Sequence, residues 1–378
     1  MQEVEKLKTS AAIELVKTLS DAFGPSGLED EVRQILKTSL EAGDPKEETF
    51  EFKEDSIGNL YVKPVRADPA SCRIVLDAHI DEVGFMVQNI LANGTLSFLP
   101  LGGWDPANAA GLAVEIRKPD GSRKRGIVAS IPPHFQNIDQ RAKPDFATLH
   151  IDVGAVDRQS ALEIGMEPGL FILPQTACTY DEELQVFCGK AFDDRIGCAA
   201  QVLTLQNLAA ADLKHVEAVF TAQEEVGERG MMAAVDHLKA RLAICFEGCP
   251  ADDTFGESYP TSAMKAGPMI RAFDKSMITH PKWLDFARKT ARKYDLPLQI
   301  AVRKGGGTNG GILHTHNIPT IVIGIPTRYA HSQCCFCSLD DLNHAVKLAV
   351  KIIEEVNRVL DKDNPDPADC WMKDLFAK

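Results

Sequence analysis

The sequence predicts an α/β fold in which a mixed sheet flanked by helices is interrupted by a small β-rich insertion. Helical and strand-like segments alternate before residue 83 and again after residue 190, which is typical of a sheet covered by helices on both faces. Between residues 84 and 174 helical periodicity disappears, and Gly and Pro separate short strand-like runs. A chain of 378 residues also exceeds the usual size of a single core. We therefore expect a discontinuous domain at 1–83 and 175–378, with an insertion domain at 84–174.

The first predicted elements are two helices and a strand. Ser26 and Glu29 have the spacing of a capping box, in which a hydroxyl is followed three residues later by a carboxylate. This pair predicts the start of a helix that runs to about Leu40. The apolar run RIVLDA, at residues 73–78, predicts a strand buried in a sheet.

After residue 190 the sequence predicts regular alternation. The predicted elements are helices at 195–211, 229–238, 283–294 and 339–360, and strands at 216–223, 241–247 and 318–323. Ligand sites in such sheets lie at the carboxyl ends of the strands. The tail at 361–378 begins with Asp and Pro residues that break helices, and we expect either a short terminal helix or a mobile end.

Composition excludes several classes of function. The net charge of −13 argues against binding to nucleic acid phosphates, which requires a basic surface. The longest apolar runs, such as 320–325, are far shorter than the ~20 residues of a membrane span, so we expect no membrane partner. The charged N-terminus lacks the apolar core of a signal peptide, which favours a cytoplasmic protein. The ten cysteines are then expected to be free thiols.

His79 and Asp81 directly follow the strand predicted at 73–78. Residues two apart in an extended chain share a face, so these two side chains are expected to point the same way. A histidine that binds a metal usually needs a carboxylate to hold its ring, and Asp81 suits that role. The alternative is a histidine with only a structural role at the strand end.

Acidic pairs occur at two further junctions. Asp193, beside Asp194, lies where a strand meets a helix, and it is either a helix cap or a carboxylate that bridges two metals. Glu224 and Glu225 end an apolar strand where Gly, Asn or Asp would be usual. Neighbouring side chains project differently, so one can bind a metal while the other faces the substrate as a base. The alternative is a pair of solvated charges.

Two more polar residues complete a set at one edge of the predicted sheet. Glu247 ends the apolar strand at 241–247, and His331 follows the strand at 318–323. A mixture of histidine and carboxylate ligands suits zinc, cobalt or manganese better than calcium. The sequence therefore predicts a metal site at the carboxyl ends of the strands.

An ordered set of motifs resembles the dinuclear metallopeptidases of the tetrahedral aminopeptidase group, metallopeptidase family 42. This family includes glutamyl and leucyl aminopeptidase-like proteins, and some members are also described as endoglucanase-like. The motifs run through nearly the whole chain: FGPSGLED, HIDEVGFMV, LGGWDP, PPHF, GKAFDDRIG, QEEVGERG, GGGTNGG and IPTRYAHS. The resemblance implies a zinc-peptidase-like fold and an aminopeptidase that acts on peptides.

The resemblance also implies roles for individual residues. Two divalent ions per chain are expected, most simply zinc or cobalt, with manganese as a further candidate. One ion would be held by His79 and Glu247 and the other by Glu225 and His331, with Asp193 bridging both. Glu224 would be the general base and Asp81 the partner of His79. The candidate substrate-binding residues are Gly306, Gly307, Thr308, Asn309 and Arg328.

The same resemblance implies self-association. The insertion at 84–174 would be a dimerisation domain, and dimers would assemble into a dodecamer that encloses the active sites. Access to such an interior favours unfolded peptides as substrates.

The sequence departs from the family pattern at three places. Glu247 stands where Asp is more common, and Asn309 stands where Asp is usual. An expected acidic residue after Ser332 is replaced by a segment containing three thiols, Cys334, Cys335 and Cys337. We expect these thiols to be small buried side chains; a soft-metal site and a redox pair are the alternatives.

Two other functions are compatible with these residues. One is a different hydrolase, either a metal-dependent N-acyl amino acid deacylase or a glycoside-active enzyme, which would use paired carboxylates without metal. The other is a metal-bearing assembly without catalysis. The second leaves unexplained why Glu224, a base with no predicted metal role, lies beside Glu225.

Overall fold

The computed structural model describes residues 2–42, 49–65, 73–130, 134, 143–255, 260–360 and 372. Its helices are α1 Gln2–Asp21, α2 Asp30–Ala42, α3 Pro106–Ala109, α4 Arg158–Glu163, α5 Phe192–Asn207, α6 Ala210–Leu213, α7 Arg229–Ala234, α8 Pro281–Lys293, α9 Asn309–Thr315 and α10 Leu339–Leu360. Its first strands are β1 Phe50–Glu54, β2 Leu60–Pro64, β3 Ile74–His79, β4 Gly84–Ile90, β5 Leu96–Leu101, β6 Ala113–Arg117, β7 Arg123–Ala129, β8 His150–Asp152 and β9 Phe171–Pro174. The remaining strands are β10 Thr179–Asp181, β11 Val186–Gly189, β12 Val216–Thr221, β13 Leu242–Pro250, β14 Met269–Phe273, β15 Gln299–Val302, β16 Thr320–Arg328 and β17 Cys335–Ser338.

Within the described ranges, eleven strands form one mixed sheet. The main path runs β1-β2-β12-β3-β13-β16-β17-β11-β10, and β14 and β15 branch from β16. Its centre is parallel, because β12 and β13 flank β3 in the same direction and β16 follows β13. Thr221 pairs with His79 in this register, so β12 and β3 end side by side. Parallel strands buried on both faces read as near-continuous apolar runs, and β3, β12 and β16 do so apart from a few polar residues such as Asp77 and Glu217.

Helices cover both faces of this sheet. On one face α5 is almost wholly buried and packs against α1, α2 and α10, which explains why apolar residues surround it rather than forming one stripe. On the other face a smaller core joins α7 and α9 to the strands, with Met231 and Leu313 packed near Val75 and Val219. Helices therefore support the sheet on both of its faces.

The insertion forms a closed six-stranded barrel. Its strands follow the order β4-β5-β8-β7-β6-β9, and they surround a separate apolar core. Phe85 lies at the centre of that core, with its ring 5.1 Å from Phe98 and 4.8 Å from Trp104 between centroids. The predicted fold class, a mixed sheet with helices and a β-rich insertion, is confirmed. The division at residues 83 and 175 and the dimerisation role stay predictions.

Some element boundaries differ from those expected from the sequence. The helix predicted to begin at Ser26 begins at Asp30, because the Ser26 hydroxyl bonds to a distant carboxylate instead of capping α2. The helix predicted at 229–238 ends at Ala234 and continues as a 3₁₀ turn, Val235–His237. A strand that the sequence did not predict, β14, lies against β16.

Two features of the sequence lie largely outside the described residues. They are the PPHF motif, of which only His134 is described, and the tail at 361–378, of which only Met372 is described. No helix among the described residues is both long and apolar enough to cross a membrane.

Candidate active site

The candidate site lies at the carboxyl edge of the parallel strands. β3 ends at His79, β12 leads into Glu224 and Glu225, and Glu247 lies within β13 near its end. His331 follows β16, and Asp193 lies at the start of α5 after β11. The structure therefore brings together every residue that the sequence predicted as a metal ligand or base. Their individual roles stay predictions.

His79 is buried between two aspartates. Its Nδ1 lies 3.3 Å from Asp81 Oδ1, and its Nε2 lies 3.2 Å from Asp193 Oδ1. Asp81 also accepts hydrogen bonds from Ser26 Oγ at 2.6 Å and from the Glu224 backbone N–H at 2.9 Å. Burial would raise the pKa of Asp81, but the His79 contact and these hydrogen bonds lower it below its ordinary value. Asp81 is thus held as a carboxylate that fixes both the ring and the start of the 224–225 segment.

Asp193 lies between two histidines, His79 at the end of β3 and His331 in the turn after β16. Its Oδ1 faces His79, and its Oδ2 lies 3.3 Å from His331 Nε2. His331 Nδ1 donates to the Gly103 carbonyl at 2.9 Å, so its other ring nitrogen is directed towards Asp193 and Glu225 Oε1, the latter at 3.3 Å. Gly103 lies between β5 and α3, in the predicted insertion at 84–174, so this segment also orients a site residue.

Three glutamates complete the cluster. Glu224 Oε2 lies 3.9 Å from His79 Nε2. Burial, together with the neighbouring carboxylates of Glu247 and Glu225, raises the pKa of Glu224 well above its ordinary value. Burial and the Asp193 charge raise the pKa of Glu247 to about 8. In the absence of bound cations, the glutamate carboxylates of this cluster repel one another in an environment that contains little water.

The donor atoms fit divalent cations. Two groups have ligand atoms that all lie within 4.8 Å of one another: His79 with Asp193 and Glu225, and His79 with Asp194 and Glu247. Carboxylate oxygens and imidazole nitrogens are the ligands that zinc and related ions prefer. Bound cations would also neutralise the excess of buried negative charge.

Asp194 was not among the ligands predicted from the sequence. It is fully buried, and its Oδ2 accepts a 3.2 Å hydrogen bond from the His79 backbone N–H. Its Oδ1 accepts from Gly197 N at 3.0 Å, in the first turn of α5. These contacts tie β3 to α5. The backbone of Asp193 and Asp194 is not helical, so Asp194 caps the regular part of α5 that follows, whereas Asp193 faces the histidines.

A cleft of about 450 Å³ opens onto the cluster. Its lining residues are Asp193, Glu224, Glu225, Gly227, Glu228, Glu247, Gly248, Pro250, Arg271, Arg303, Gly305, Gly306, Gly307 and His331. Two of the predicted substrate-binding residues, Gly306 and Gly307, are among them.

The other three predicted substrate-binding residues are outside that lining. Thr308 caps α9 by accepting from Gly310 N, and buried Asn309 donates to Thr221 Oγ1 at 2.7 Å. Arg328 forms a two-pronged ion pair with Asp253, at 2.9 and 2.7 Å. Each of these three side chains therefore makes its contact within the protein.

Two arginines in the cleft were missed by the sequence reasoning. Arg271 is 4% exposed and donates to Asp274 Oδ2 at 3.2 Å and to Cys249 Sγ at 2.8 Å. Arg303 donates to the Pro250 carbonyl and lies near the glycines of the cleft. Because β14 was not predicted, nothing in the sequence pattern placed Arg271 at this edge.

Comparisons with known proteins agree with the fold. The family model described as M42 glutamyl aminopeptidase matches residues 58–348. The putative aminopeptidase FrvX of Escherichia coli is 33% identical over 340 residues, covering 87% of this chain and 91% of that protein. A TET aminopeptidase from the marine sediment archaeon Thaumarchaeota archaeon SCGC AB-539-E09 superposes with a TM-score of 0.83 at 34% identity, covering 90% and 96% of the two chains. The Pyrococcus horikoshii TET1 peptidase, which can assemble into a tetrahedron or a large octahedral shell, gives a TM-score of 0.79 at 26% identity, with coverages of 90% and 99%.

Proposed function

Because this chain belongs to the M42 glutamyl aminopeptidase family, we propose that it is a metal-dependent aminopeptidase that removes N-terminal residues from peptides. The observation that carries the metal dependence is the position of Asp193. Its two carboxylate oxygens face two histidines, one at the end of β3 and one in the turn after β16, at 3.2 and 3.3 Å. A carboxylate in that position suits a bridge between two cations.

The proposed ligands are those that the family resemblance implies. His79 and Glu247 would hold one ion, Glu225 and His331 the other, and Asp193 both, with zinc or cobalt favoured over manganese. When bound, such a pair supplies Lewis acidity, which lowers the pKa of water and polarises the scissile carbonyl. Asp81 keeps the His79 ring in place, and Gly103 does the same for His331.

Glu224 is the proposed general base. Its backbone N–H is fixed by Asp81, and its carboxylate lies in the cleft beside His79. Its Oε2 would accept a proton from the attacking water and transfer it to the leaving amine. General catalysis of this kind is typically worth ~10²–10⁴ in rate.

The cleft also favours a preference for acidic N-terminal side chains. Away from the proposed ligands and base, the charged lining consists of Arg271, Arg303 and Glu228. Arg271 is paired with Asp274, whereas Arg303 donates to a backbone carbonyl. Asp252 interacts with the Arg303 charge, but no ion pair between them within 4.0 Å is present among the described residues, so Arg303 can still attract a substrate carboxylate. Glu228 is the acidic member of these three, and burial raises its pKa above the ordinary value.

Assembly and location form the remainder of the proposal. The barrel would pair two chains, and such dimers would build a dodecamer in the cytoplasm. The likeness to the TET1 peptidase, which can assemble into a tetrahedron, supports the assembly.

Hydrolysis of aminoacyl chromogenic amides by chelated protein, before and after addition of zinc, cobalt or manganese, tests this proposal. We expect metal to restore cleavage of unblocked substrates while N-acetylated ones stay intact. Cleavage of the acetylated set would favour a deacylase, and glycoside hydrolysis that survives chelation would favour a glycosidase. Bound metal without turnover on any substrate would favour an assembly without catalysis.

A further inference from the structure

Two thiols lie in direct contact beside the turn that carries His331. Cys188 is in β11, Cys334 follows His331 by three residues, and their Sγ atoms are 3.0 Å apart. Both residues are only partly buried, so a small reagent can reach them. Cys335 and Cys337 of the same segment are buried in β17, where Cys335 Sγ donates to the Tyr329 carbonyl at 3.2 Å.

We propose that Cys188 and Cys334 form a reversible disulfide that ties the His331 turn to β11. The backbone already holds the two segments together, because β11 and β17 pair with Gly189 opposite Cys335. A disulfide requires its sulfurs about 2.05 Å apart, so closure needs only about 1 Å of approach. Among the described residues, the groups suited to a metal ion contain no cysteine, which favours redox chemistry over a soft-metal site.

The reaction balances with a low-molecular-weight disulfide such as oxidised glutathione. The thiolate of one cysteine attacks a glutathione sulfur, forms a mixed disulfide and releases one glutathione thiolate. The second cysteine, once deprotonated, attacks the protein sulfur of that mixed disulfide and releases the other glutathione. The two cysteines lose two protons and two electrons, and the oxidant becomes two reduced glutathiones.

The bond would restrain the segments that carry Asp193 and His331. The turn is held by Ser332 Oγ, which donates to the Tyr329 carbonyl at 2.7 Å, and Tyr329 and His331 both have positive φ. A covalent link to β11 limits how far this turn can open from the start of α5. Formation of the bond is independent of the proposed function; only its consequence for a metal ligand rests on that function.

Full-length protein, reduced and then treated with excess oxidised glutathione, tests the proposal. Burial and the Cys188 contact raise the pKa of Cys334 to about 11, so oxidation calls for a long incubation at mildly alkaline pH. Peptide mapping should show residues 188 and 334 linked with the loss of two hydrogens, and dithiothreitol should reverse the link. The apparent Tm of the oxidised protein should rise by about 3 °C or more, because the closed loop is long.

Serine variants separate this pair from the other thiols. Cys188→Ser and Cys334→Ser should each abolish the link and the Tm rise, whereas Cys178→Ser, at a buried thiol nearby, should keep both. Recovery of both cysteines as free thiols after oxidation would overturn the proposal, as would a link from Cys334 to Cys335 or Cys337. A correct link without a Tm change would overturn the stabilisation expected from the bond. None of these readouts is enzymatic, so loss of the aminopeptidase proposal would leave them unaffected.

Discussion

Ser26 and Asp81 are joined by a 2.6 Å hydrogen bond from the serine Oγ to Asp81 Oδ2. The other oxygen of Asp81 lies 3.3 Å from His79 Nδ1 and accepts from the Glu224 backbone. Ser26 therefore holds the carboxylate that orients the His79 ring, although it lies 55 positions earlier in the chain. Both side chains are buried, so this hydrogen bond is protected from competition with water.

Ser26→Ala should weaken metal binding. Loss of this hydrogen bond leaves Asp81 held only by the Glu224 and Glu225 backbone N–H groups and by His79. Disruption of such supporting contacts typically costs ~10–100-fold in affinity or activity. We expect about tenfold weaker binding of zinc in competition with a fluorescent chelator. Ser39→Ala, which removes a hydroxyl that donates to the Ile35 carbonyl within α2, is the control and should leave affinity unchanged. Equal affinities for all three proteins would refute the role of Ser26.

The sequence predicted at which edge of the sheet the site lies. The prediction needed only local information, namely which polar residues directly follow an apolar strand. His79 ends an apolar strand, and Glu224 and Glu225 follow another that runs parallel to it. Polar residues in those positions are costly inside a core, so they indicate the open edge. The register of β3 with β12 then places the two groups side by side.

The supporting contacts were beyond sequence reasoning because they join distant segments. Ser26 had the spacing of a helix cap, yet the competing hydrogen bond to Asp81 prevailed. The Gly103 carbonyl, in the insertion, accepts a hydrogen bond from His331. The pattern of side-chain types in a sequence cannot reveal a contact made by a backbone carbonyl. Asn309 looked like a pocket residue within a glycine-rich run, but it faces Thr221 in the interior.

Glu224→Gln should retain bound metal and lose nearly all turnover. The amide keeps the shape of the side chain but cannot accept a proton, so kcat should fall by ~10²–10⁴. Steady-state kinetics and elemental analysis of the same sample measure both quantities. Glu228→Gln removes another carboxylate from the cleft and should change kcat far less. Comparable activity in wild type and Glu224→Gln would rule out the proposed base.

Asp193→Ala should impair binding of both ions. The two oxygens of Asp193 face His79 and His331, so one truncation removes a donor from each proposed site. Elemental mass spectrometry after dialysis against zinc should show less than one ion per chain, against two in the wild type. Asp253→Ala, at the Arg328 ion pair outside the lining, should keep the wild-type content. Two ions in Asp193→Ala would exclude the bridge.

Arg303→Ala should selectively impair cleavage after acidic N-terminal residues. A hydrogen bond between charged groups contributes about 1.5–3 kcal/mol, so kcat/KM for glutamyl and aspartyl amides should fall roughly tenfold or more. Cleavage of leucyl and alanyl amides should change little. Lys304→Ala removes an exposed neighbouring cation outside the lining and serves as control. A uniform loss across all substrates would show that Arg303 has no part in side-chain selection.

Glu29→Gln should make the protein more stable above neutral pH. Glu29 is 2% exposed, and burial raises its pKa from 4.5 to about 7, despite a hydrogen bond from the Gly27 backbone N–H. Because the folded state holds this proton more tightly than the unfolded state, folding stability falls as pH rises from about 4.5 through 7. At about 1.4 kcal/mol per pKa unit, the full effect is on the order of 3 kcal/mol.

Urea denaturation of wild type and Glu29→Gln near pH 5 and pH 8 measures this effect. The glutamine mimics the protonated acid, so the two proteins should have similar midpoints near pH 5, and the variant should have the higher midpoint near pH 8. Glu41→Gln, at an exposed position near the end of α2, should match the wild type at both pH values. A Glu29→Gln midpoint below that of the wild type at pH 8 would mean that the charged carboxylate stabilises the fold, through Arg33 at 3.9 Å or the Gly27 hydrogen bond.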